Sequence, residues 1–168
     1  GTFTMAVFGL HDISNATAAI ALADINGIGV EKIQESLDLY KPAERRFSEH
    51  KIGNNVIVDD YAHHPSEIKA TIDSARRKYA DKKIRIIDQQ NVIQLLLPGT
   101  HKVYQDEYKY FSLYALDDAY IDIDGAEYPL NQYFLQRQDP LCVSNQVSCE
   151  IATITNSKPI LLVKSKDA

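Results

Sequence analysis

A chain of 168 residues with 45% hydrophobic and 24% charged residues has the composition of an ordinary globular protein, which excludes intrinsic disorder and fibrous repeats. Its length is that of about one domain and suffices for a hydrophobic core without disulfides or metal ions. The net charge of -5 argues against a nucleic-acid-binding protein, because phosphate contacts need a clustered excess of lysine and arginine.

The first forty residues predict a strand and a pair of helices. Residues 2–8 alternate β-branched and apolar side chains and stop at a glycine, as a short strand does before a turn. Residues 12–23 are rich in alanine with apolar side chains at helical spacing, and residues 30–40 repeat the helical pattern. Pro42 closes the second helix, so we expect a domain boundary at this point.

Beyond Pro42 the pattern changes to strands alternating with helices, which is typical of a mainly parallel sheet with helices on its faces. The predicted strands lie at residues 55–58, 84–87, 119–123 and 160–163. The predicted helices lie at residues 65–79, 104–116 and 147–155. We therefore expect an α/β fold with a Rossmann-like sheet of four or more parallel strands flanked by helices.

The apolar runs and the cysteines bear on where the protein is found. Ala16 to Ala23, one of the longest apolar runs, falls far short of the roughly 20 residues of a membrane span, and no signal peptide precedes the first predicted strand. Only Cys142 and Cys149 occur, and such sparse use is typical of a reducing cytoplasm. We expect a cytoplasmic protein without membrane contact, in which both cysteines are small core residues.

The most informative stretch, Val56 to Pro65, is a buried strand that leads into two carboxylates, two imidazoles and a helix start. Ligands of open α/β sheets bind at such carboxyl ends of strands. With proline at the first helical position, His64 is predicted as the N-cap, and the exposed N–H groups of the first turn favour an anion. Asp59 and Asp60 suit ribose hydroxyls or a metal ion. In the plainer alternative, the aspartates only cap the turn, and spacing does not decide between the two.

Two weaker clusters come earlier in the chain. Arg45-Arg46-Phe47 places two guanidinium groups at a domain junction, where they can reach phosphate oxygens with paired hydrogen bonds. A solvated surface pair is the alternative. Asn15, on the first turn of a helix after Gly9, matches adenine in its pattern of donor and acceptor, although Asp12 and Ser14 are also ordinary helix-start residues.

In this order and spacing, the three clusters resemble the Mur ligase family, and within it the enzymes that join UDP-N-acetylmuramate to L-alanine. Those enzymes carry a G-x-H-N-x-x-N-A-x-A-A-I-A helix, an R-R-F junction and a D-D-Y-A-H-H-P-x-E-I-x-A-T block. This sequence matches them with Gly9, His11 and Asn15, with the junction at residues 45–47, and with residues 59–71. The resemblance covers residues 2 to about 83, which is half of the chain.

The resemblance implies a domain organisation and roles for individual residues. Residues 1–42 would be the tail of the central ATPase domain, and residues 43–168 the Rossmann-like C-terminal domain that closes over the nucleotide. Asn15 would contact adenine, Arg46 the ATP phosphates and Asp60 the ribose. His63 and His64 would be the catalytic pair, facing the amino acid and the acyl phosphate.

The resemblance also implies a reaction. In such ligases ATP, bound with magnesium, activates a carboxylate as an acyl phosphate that the incoming amine attacks, so catalysis is mostly positioning and charge stabilisation. UDP-N-acetylmuramate and L-alanine would be the substrates of the full-length enzyme, and its N-terminal and central domains the missing partners of this chain. We expect the chain alone to be inactive, because the phosphate-cradling G-T-x-G-K-[ST] loop and its lysine are absent.

One departure from the family keeps other hypotheses open. The Q-P-H-x-x-x-R-T motif, which looks like the clamp for the amino-acid carboxylate, is missing, and residues 94–100 stand in its place without the histidine or either arginine. A degenerate relative that binds a nucleotide without ligating is therefore a second hypothesis. A third is a zinc-type site built from Asp59, Asp60, His63 and His64, although adjacent histidines cannot easily share one ion.

Overall fold

The computed structural model describes residues 1–7, 10–41 and 46–166. Gly9, Arg45 and the side chain of His11, which belong to the predicted motifs, lie outside this description. The chain divides into two compact units, Gly1–Lys82 and Lys83–Ala168. In the described residues, no helix is long and apolar enough to cross a membrane.

The first unit contains three helices and one hairpin. Its elements are α1 (Leu10–Ile25), α2 (Val30–Leu39), β1 (Ser48–Ile52), β2 (Asn55–Asp59) and α3 (Pro65–Lys78). All three helices predicted in this part of the chain are confirmed. α1 ends where Gly27 takes a positive φ of 76°, which lets the N–H of Ile28 donate to the carbonyl of Ala23 at 3.0 Å and satisfy a helix-terminal acceptor.

β1 and β2 form an antiparallel hairpin in which Ile52 pairs with Asn55. The strand predicted at residues 55–58 is thus confirmed. The connection is two residues long, and Gly53 takes the positive φ of 57° that such a tight turn requires. The hairpin leads the chain from the junction at Arg46 directly to the turn before α3.

The strand predicted at residues 2–8 is wrong for its described part, since residues 2–7 have no strand structure. A strand forms only where a neighbouring strand accepts and donates its backbone hydrogen bonds. Here the side chain of Gln34 on α2 takes that place, because it accepts from the N–H of Thr4 and donates to its carbonyl, both at 3.0 Å.

The second unit consists of antiparallel β-structure in its described residues. Its strands are β3 (Arg85–Ile87), β4 (Asn91–Leu96), β5 (Gly99–Tyr104), β6 (Tyr110–Ala115), β7 (Ala119–Asp124), β8 (Leu130–Leu135), β9 (Asn145–Gln146), β10 (Ile151–Asn156) and β11 (Ile160–Ser165). They form a four-stranded sheet with the order β5-β10-β7-β8 and a five-stranded sheet with the order β3-β4-β11-β6-β9.

The predicted Rossmann-like parallel sheet is therefore wrong. Every strand pair in the two sheets is antiparallel. The connections explain why: β3 and β4 are joined by a tight turn in which the Asp88 carboxylate accepts the N–H groups of Gln90 and Asn91 at 2.7 Å. Parallel neighbours would need a crossover of a dozen or more residues.

The helices predicted at residues 104–116 and 147–155 are also wrong, because neither segment contains helix and the strands β6 and β10 run through them. Aromatic residues at helical spacing suggested the first helix, but the buried apolar residues, Phe111, Leu113 and Ala115, alternate along a strand. The strands predicted at residues 84–87, 119–123 and 160–163 are confirmed as strands.

The core of the second unit is formed by alternate residues of strands from both sheets. Its largest fully buried side chains include Phe111, Leu113, Ile121, Ile123, Leu135, Ile154, Ile160 and Leu162. Cys142 is buried among them, as predicted, whereas Cys149 is exposed and contradicts the prediction. Two apolar sheet faces thus supply the core that the sequence analysis had assigned to helices on a sheet.

Candidate functional site

The turn between β2 and α3 is organised by the carboxylate of Asp60. One carboxylate oxygen accepts the backbone N–H of Phe47 at 2.9 Å, and the other accepts the backbone N–H of Ala62 at 2.8 Å. The first bond spans 13 residues of sequence and the second only two. Asp60 therefore links Phe47, next to Arg46, by hydrogen bonds to the turn that contains His63 and His64.

Phe47 has an unusual backbone at this junction. Its φ is 52°, in the left-handed region that a bulky residue rarely adopts. Its side chain is buried at 8% exposure, so burial of the ring and the bond from its N–H to Asp60 together stabilise this conformation. The backbone that follows Arg46 is thereby held in one geometry.

His64 caps α3, as the sequence predicts. Its Nδ1 accepts the backbone N–H of Ser66 at 3.3 Å. The Glu67 carboxylate reaches back and accepts the N–H groups of His63 and His64, each at 3.2 Å. This reciprocal capping box satisfies donors at the helix start that would otherwise lack partners.

Electrostatics tie Glu67 to the rest of the turn. The hydrogen bonds from the backbone N–H groups of His63 and His64 lower the pKa of Glu67 below its ordinary value, and electrostatic attraction to His63 and Arg46 lowers it further. Glu67 is therefore ionised near neutral pH, and the Arg46 guanidinium is close enough to act on it. The Arg46 side chain itself is exposed.

The His63 side chain is largely exposed at this turn. Its Nδ1 lies 3.1 Å from the carbonyl oxygen of Tyr61, and its ring meets the Tyr61 ring edge-on with centroids 5.5 Å apart. These contacts orient the imidazole while 75% of its side chain remains accessible to solvent. An oriented and accessible imidazole can exchange a proton or a hydrogen bond with a ligand.

A cavity of about 380 Å³ opens beside the junction in the first unit. It is lined by Met5, Ala6, Val7, Asp12, Arg46, Phe47, Glu49 and Lys78. The Lys78 ammonium lies 2.7 Å from the Glu49 carboxylate, which also accepts the Tyr79 hydroxyl at 2.9 Å. Burial first, and then this bond, raises the pKa of Tyr79. With Lys78 paired to Glu49, Arg46 is the cation of this cavity best placed to bind an anion.

The structure thus brings together four of the five predicted site residues. Asp60 bonds to Phe47, the residue after Arg46, and to Ala62, the residue before His63, while Glu67 accepts the N–H groups of His63 and His64. Asn15 is exposed on α1 and does not line the cavity. The roles predicted for all five residues stay predictions.

The geometry gives no support to a metal site at Asp59, Asp60, His63 and His64. Across residues 1–7, 10–41 and 46–166, no three or more histidine, cysteine or acidic side chains are grouped so that they could hold a metal ion. Asp60 instead accepts the backbone N–H groups of Phe47 and Ala62, and the Nδ1 of His64 accepts that of Ser66.

Sequence reasoning missed two groups of polar contacts in the second unit, one at the buried Asn145 and one at the half-buried Asp139. The side-chain amide of Asn145 accepts the N–H of Tyr128 at 3.0 Å and donates to its carbonyl at 2.8 Å. Nearby along the chain, the Tyr133 hydroxyl donates to Asp139, and this bond lowers the pKa of Asp139 and raises that of Tyr133. The period-two alternation of the flanking segments is the signal that could have revealed the strands around them.

Two family models match neighbouring parts of the chain. Residues 45–95 match the glutamate ligase domain of Mur ligases. Residues 100–161 match the vitamin B1 binding domain of thiamin pyrophosphokinase. Each match covers less than half of the chain, and the change from one to the other falls between β4 and β5.

Relatives with known names support the first match. The chain is 47% identical over 89 residues to the UDP-N-acetylmuramate–L-alanine ligase of Lactiplantibacillus plantarum, covering 53% of this chain and 20% of that protein. For the same ligase of Lactobacillus acidophilus, identity is 41% over 121 residues, covering 72% of this chain and 26% of that protein. The chain therefore spans about a fifth to a quarter of the length of these curated relatives.

Solved structures support the second match. Thiamine pyrophosphokinase from Bacillus subtilis superimposes with a TM-score of 0.54 at 26% identity, covering 64% of this chain and 53% of that chain. The enzyme from Geobacillus thermodenitrificans gives a TM-score of 0.53 at 29% identity, covering 64% of this chain and 51% of that chain. These likenesses agree with the antiparallel sheets and again contradict a Rossmann-like sheet.

Proposed function

We propose that the first unit is the nucleotide-facing part of a ligase that joins UDP-N-acetylmuramate to L-alanine. The observation that carries this proposal is the pair of hydrogen bonds of Asp60, which join the Arg46 junction to the histidine turn. The surrounding residues are 41% to 47% identical to such ligases. Residues 1–42 would form the tail of the central ATPase domain in the complete enzyme.

The geometry is compatible with the roles that the resemblance implies. Each oxygen of a carboxylate has two lone pairs, so Asp60 retains one on each oxygen for the ribose hydroxyls of ATP. Arg46, beside the cavity, would bind the phosphates, and Asn15 would reach adenine. His63 and His64 would face the amino acid, while ATP with magnesium supplies the phosphoryl group that activates the carboxylate.

A transplant tests this proposal. Residues 46–82 of this chain replace the matching segment in the Lactiplantibacillus plantarum ligase, and alanine-dependent phosphate release from ATP is measured. We expect turnover within about tenfold of the parent enzyme, since one misplaced group would already cost about 100-fold. Asp60→Ala in the transplant should lower turnover, and Asp81→Asn, at an exposed position outside the turn, serves as the control.

Two other results would count against the proposal. A transplant that binds an ATP analogue but releases no phosphate would favour the degenerate nucleotide-binding relative instead. The present chain should bind ATP weakly, because it lacks the phosphate loop, so a submicromolar affinity in calorimetry would contradict this account of the site.

A second candidate function belongs to the second unit, for which we propose thiamin binding. The match of residues 100–161 to a vitamin B1 binding domain and the likeness to two thiamin pyrophosphokinases favour it. The hydrogen bonds of the buried Asn145 and of the half-buried Asp139 give these loops fixed polar groups. This unit would hold the vitamin, and the catalysis of phosphoryl transfer would need residues outside the matched segment.

Thiamin titration tests the second candidate directly. The chain has ten tyrosines and no tryptophan, so tyrosine fluorescence reports on the ligand, and the thermal midpoint of the second unit should rise with thiamin concentration by mass action. 1-Methylnicotinamide, another aromatic cation, is the control ligand. An equal response to both compounds, or no response to millimolar thiamin, would exclude specific binding.

A further inference from the structure

The Nδ1 atoms of the two adjacent histidines have opposite hydrogen-bonding roles. Nδ1 of His63 lies 3.1 Å from the carbonyl oxygen of Tyr61. A carbonyl oxygen can only accept, so this Nδ1 must carry a proton. Nδ1 of His64 lies 3.3 Å from the backbone nitrogen of Ser66. An amide N–H can only donate, so this Nδ1 must be without a proton.

Neighbouring groups favour the same assignment. The Ser66 hydroxyl lies 2.7 Å from Nδ1 of His64 and can donate to it as well. The Glu67 carboxylate lies 3.6 Å from Nδ1 of His63, where a negative charge favours a protonated nitrogen. Glu67 also accepts the backbone N–H groups of His63 and His64, so the backbone of both histidines is fixed at the start of α3.

A neutral imidazole has one proton on its ring, so the opposite nitrogen takes the opposite state in each residue. Nε2 of His63 is left with a lone pair, and Nε2 of His64 is left with a proton. Neither Nε2 bonds to a residue in the described ranges, and both side chains are exposed. Both atoms are therefore accessible to a ligand.

We propose that His63 and His64 are fixed in opposite tautomers, so that this turn binds a ligand carrying a hydrogen-bond donor opposite His63 and an anionic oxygen opposite His64. An amino acid offers both groups, an amine and a carboxylate. Its attack on an acyl phosphate, which rests on the proposed ligase function, would form the new N–C bond as the bond from the acyl carbon to the phosphate oxygen breaks. Inorganic phosphate would leave with that electron pair, and a proton would pass from the amine nitrogen to Nε2 of His63. His64 cannot take that proton at Nε2, which already holds one.

The tautomers can be read in the chain as it exists, without any ligase activity. Long-range proton–nitrogen correlation spectra of the ¹⁵N-labelled chain at pH of about 8.5, two units above the ordinary imidazole pKa, distinguish protonated from unprotonated ring nitrogens. We expect a proton on Nδ1 of His63 and on Nε2 of His64. His101, whose Nε2 lies 2.7 Å from the carbonyl of Leu97, is an internal reference for a proton on Nε2.

Two variants assign the signals and probe the roles. His63→Gln and His64→Asn each remove one imidazole, and asparagine keeps an acceptor at the helix cap. In the transplanted ligase, His63→Gln should change the pH profile of turnover, whereas His64→Asn should raise the KM for L-alanine without moving that profile. The same tautomer in both rings, or averaged signals from exchange, would overturn the proposal even if the ligase function stands. Opposite tautomers with an unchanged pH profile would overturn the proton-accepting role of His63.

Discussion

Asp60 connects two segments of the first unit that no local pattern links, and its loss should be measurable. Hydrogen bonds from backbone N–H groups to a carboxylate contribute about 1.5–3 kcal/mol each. We expect Asp60→Ala, which loses both bonds, to lower the free energy of unfolding of the first unit by about 3–6 kcal/mol, and Asp60→Asn, which retains one acceptor oxygen, by about half as much. Urea unfolding followed by circular dichroism at the helical signal measures both.

The control for this comparison is Asp81→Asn, an exposed aspartate of the same unit. Amide hydrogen exchange then locates the effect, since the N–H groups of Phe47 and Ala62 should lose protection together in the Asp60 variants. Equal stability losses for Asp60→Asn and Asp81→Asn would mean that the carboxylate does not hold the junction.

The two cysteines should differ sharply in reactivity. Burial raises the pKa of the Cys142 thiol to about 11, with help from the charge of Asp139, and the thiolate is the reactive form. Cys149 is exposed. We expect a thiol reagent at pH 8 to label Cys149 within minutes and Cys142 only after unfolding, as mass spectrometry of the digested chain would show. If Cys142 in the folded Cys149→Ser variant were labelled as fast as Cys149 in the unaltered chain, the burial of Cys142 would be contradicted.

At the scale of elements, the capping box makes the stability of α3 depend on acid. The pKa of Glu67 is lowered in the folded state from its ordinary 4.5. Folding is therefore stabilised above that ordinary value, and the contribution is lost as the pH falls through the folded-state pKa. We expect the first unit to lose stability between pH 5 and pH 3 and Glu67→Gln to lose less over this range, as urea midpoints at each pH would show.

Other carboxylates also contribute to the loss of stability in acid, so a second variant is needed to separate their contribution from that of Glu67. The side-chain bond from Lys69 lowers the pKa of Asp73 in the same helix, and Asp73→Asn removes that contribution alone. Glutamine can still accept at the capping box, so Glu67→Gln should remain folded at pH 7. If its acid dependence equals that of the unaltered chain, Glu67 does not stabilise the helix start through its charge.

The β7–β8 hairpin contains a close backbone approach that only glycine permits. Gly125 has a φ of 72°, and a Cβ atom there would lie 2.5 Å from the carbonyl oxygen of Ile151. Gly99 also has a positive φ, of 140°, but a Cβ atom there would meet nothing within 4 Å. We expect Gly125→Ala to destabilise the second unit by about 1–3 kcal/mol more than Gly99→Ala, because overpacking adds to the backbone strain. Thermal unfolding followed by the circular dichroism of the β-structure compares the midpoints of the two variants, and equal midpoints would contradict the close approach at Gly125.

At the scale of the whole molecule, the two compact units predict separate responses to core substitutions. Leu113 is fully buried in the second unit, and truncation of such a leucine to alanine costs about 2–5 kcal/mol. We expect Leu113→Ala to lower the protection of amides in β6 and β11 by this amount while the amides of α3 keep theirs. Residue-resolved hydrogen exchange measures both, and a matched loss in α3 would show that the chain unfolds as one cooperative unit.

The amino-acid sequence predicted well where the decisive interactions are local. The three helices of the first unit follow from apolar residues at helical spacing and from terminal signals within a turn of each end, such as Pro65 after His64. The same reasoning placed His64 at the helix cap. Arg46 and Asp60 were singled out as well, but the bond between Asp60 and Phe47 spans 13 residues and no spacing rule could reveal it.

The sequence by itself determined where most strands and helices lie in the first 83 residues, and which motif resembles the ligases, because those signals depend on neighbouring residues. Tertiary structure alone decided the direction and order of the strands in the second unit. β11, for example, pairs with β4 and β6, and these partners lie more than 40 residues away in the chain. Short apolar segments fit a parallel or an antiparallel sheet equally well, and only the neighbours that satisfy their backbone hydrogen bonds distinguish the two.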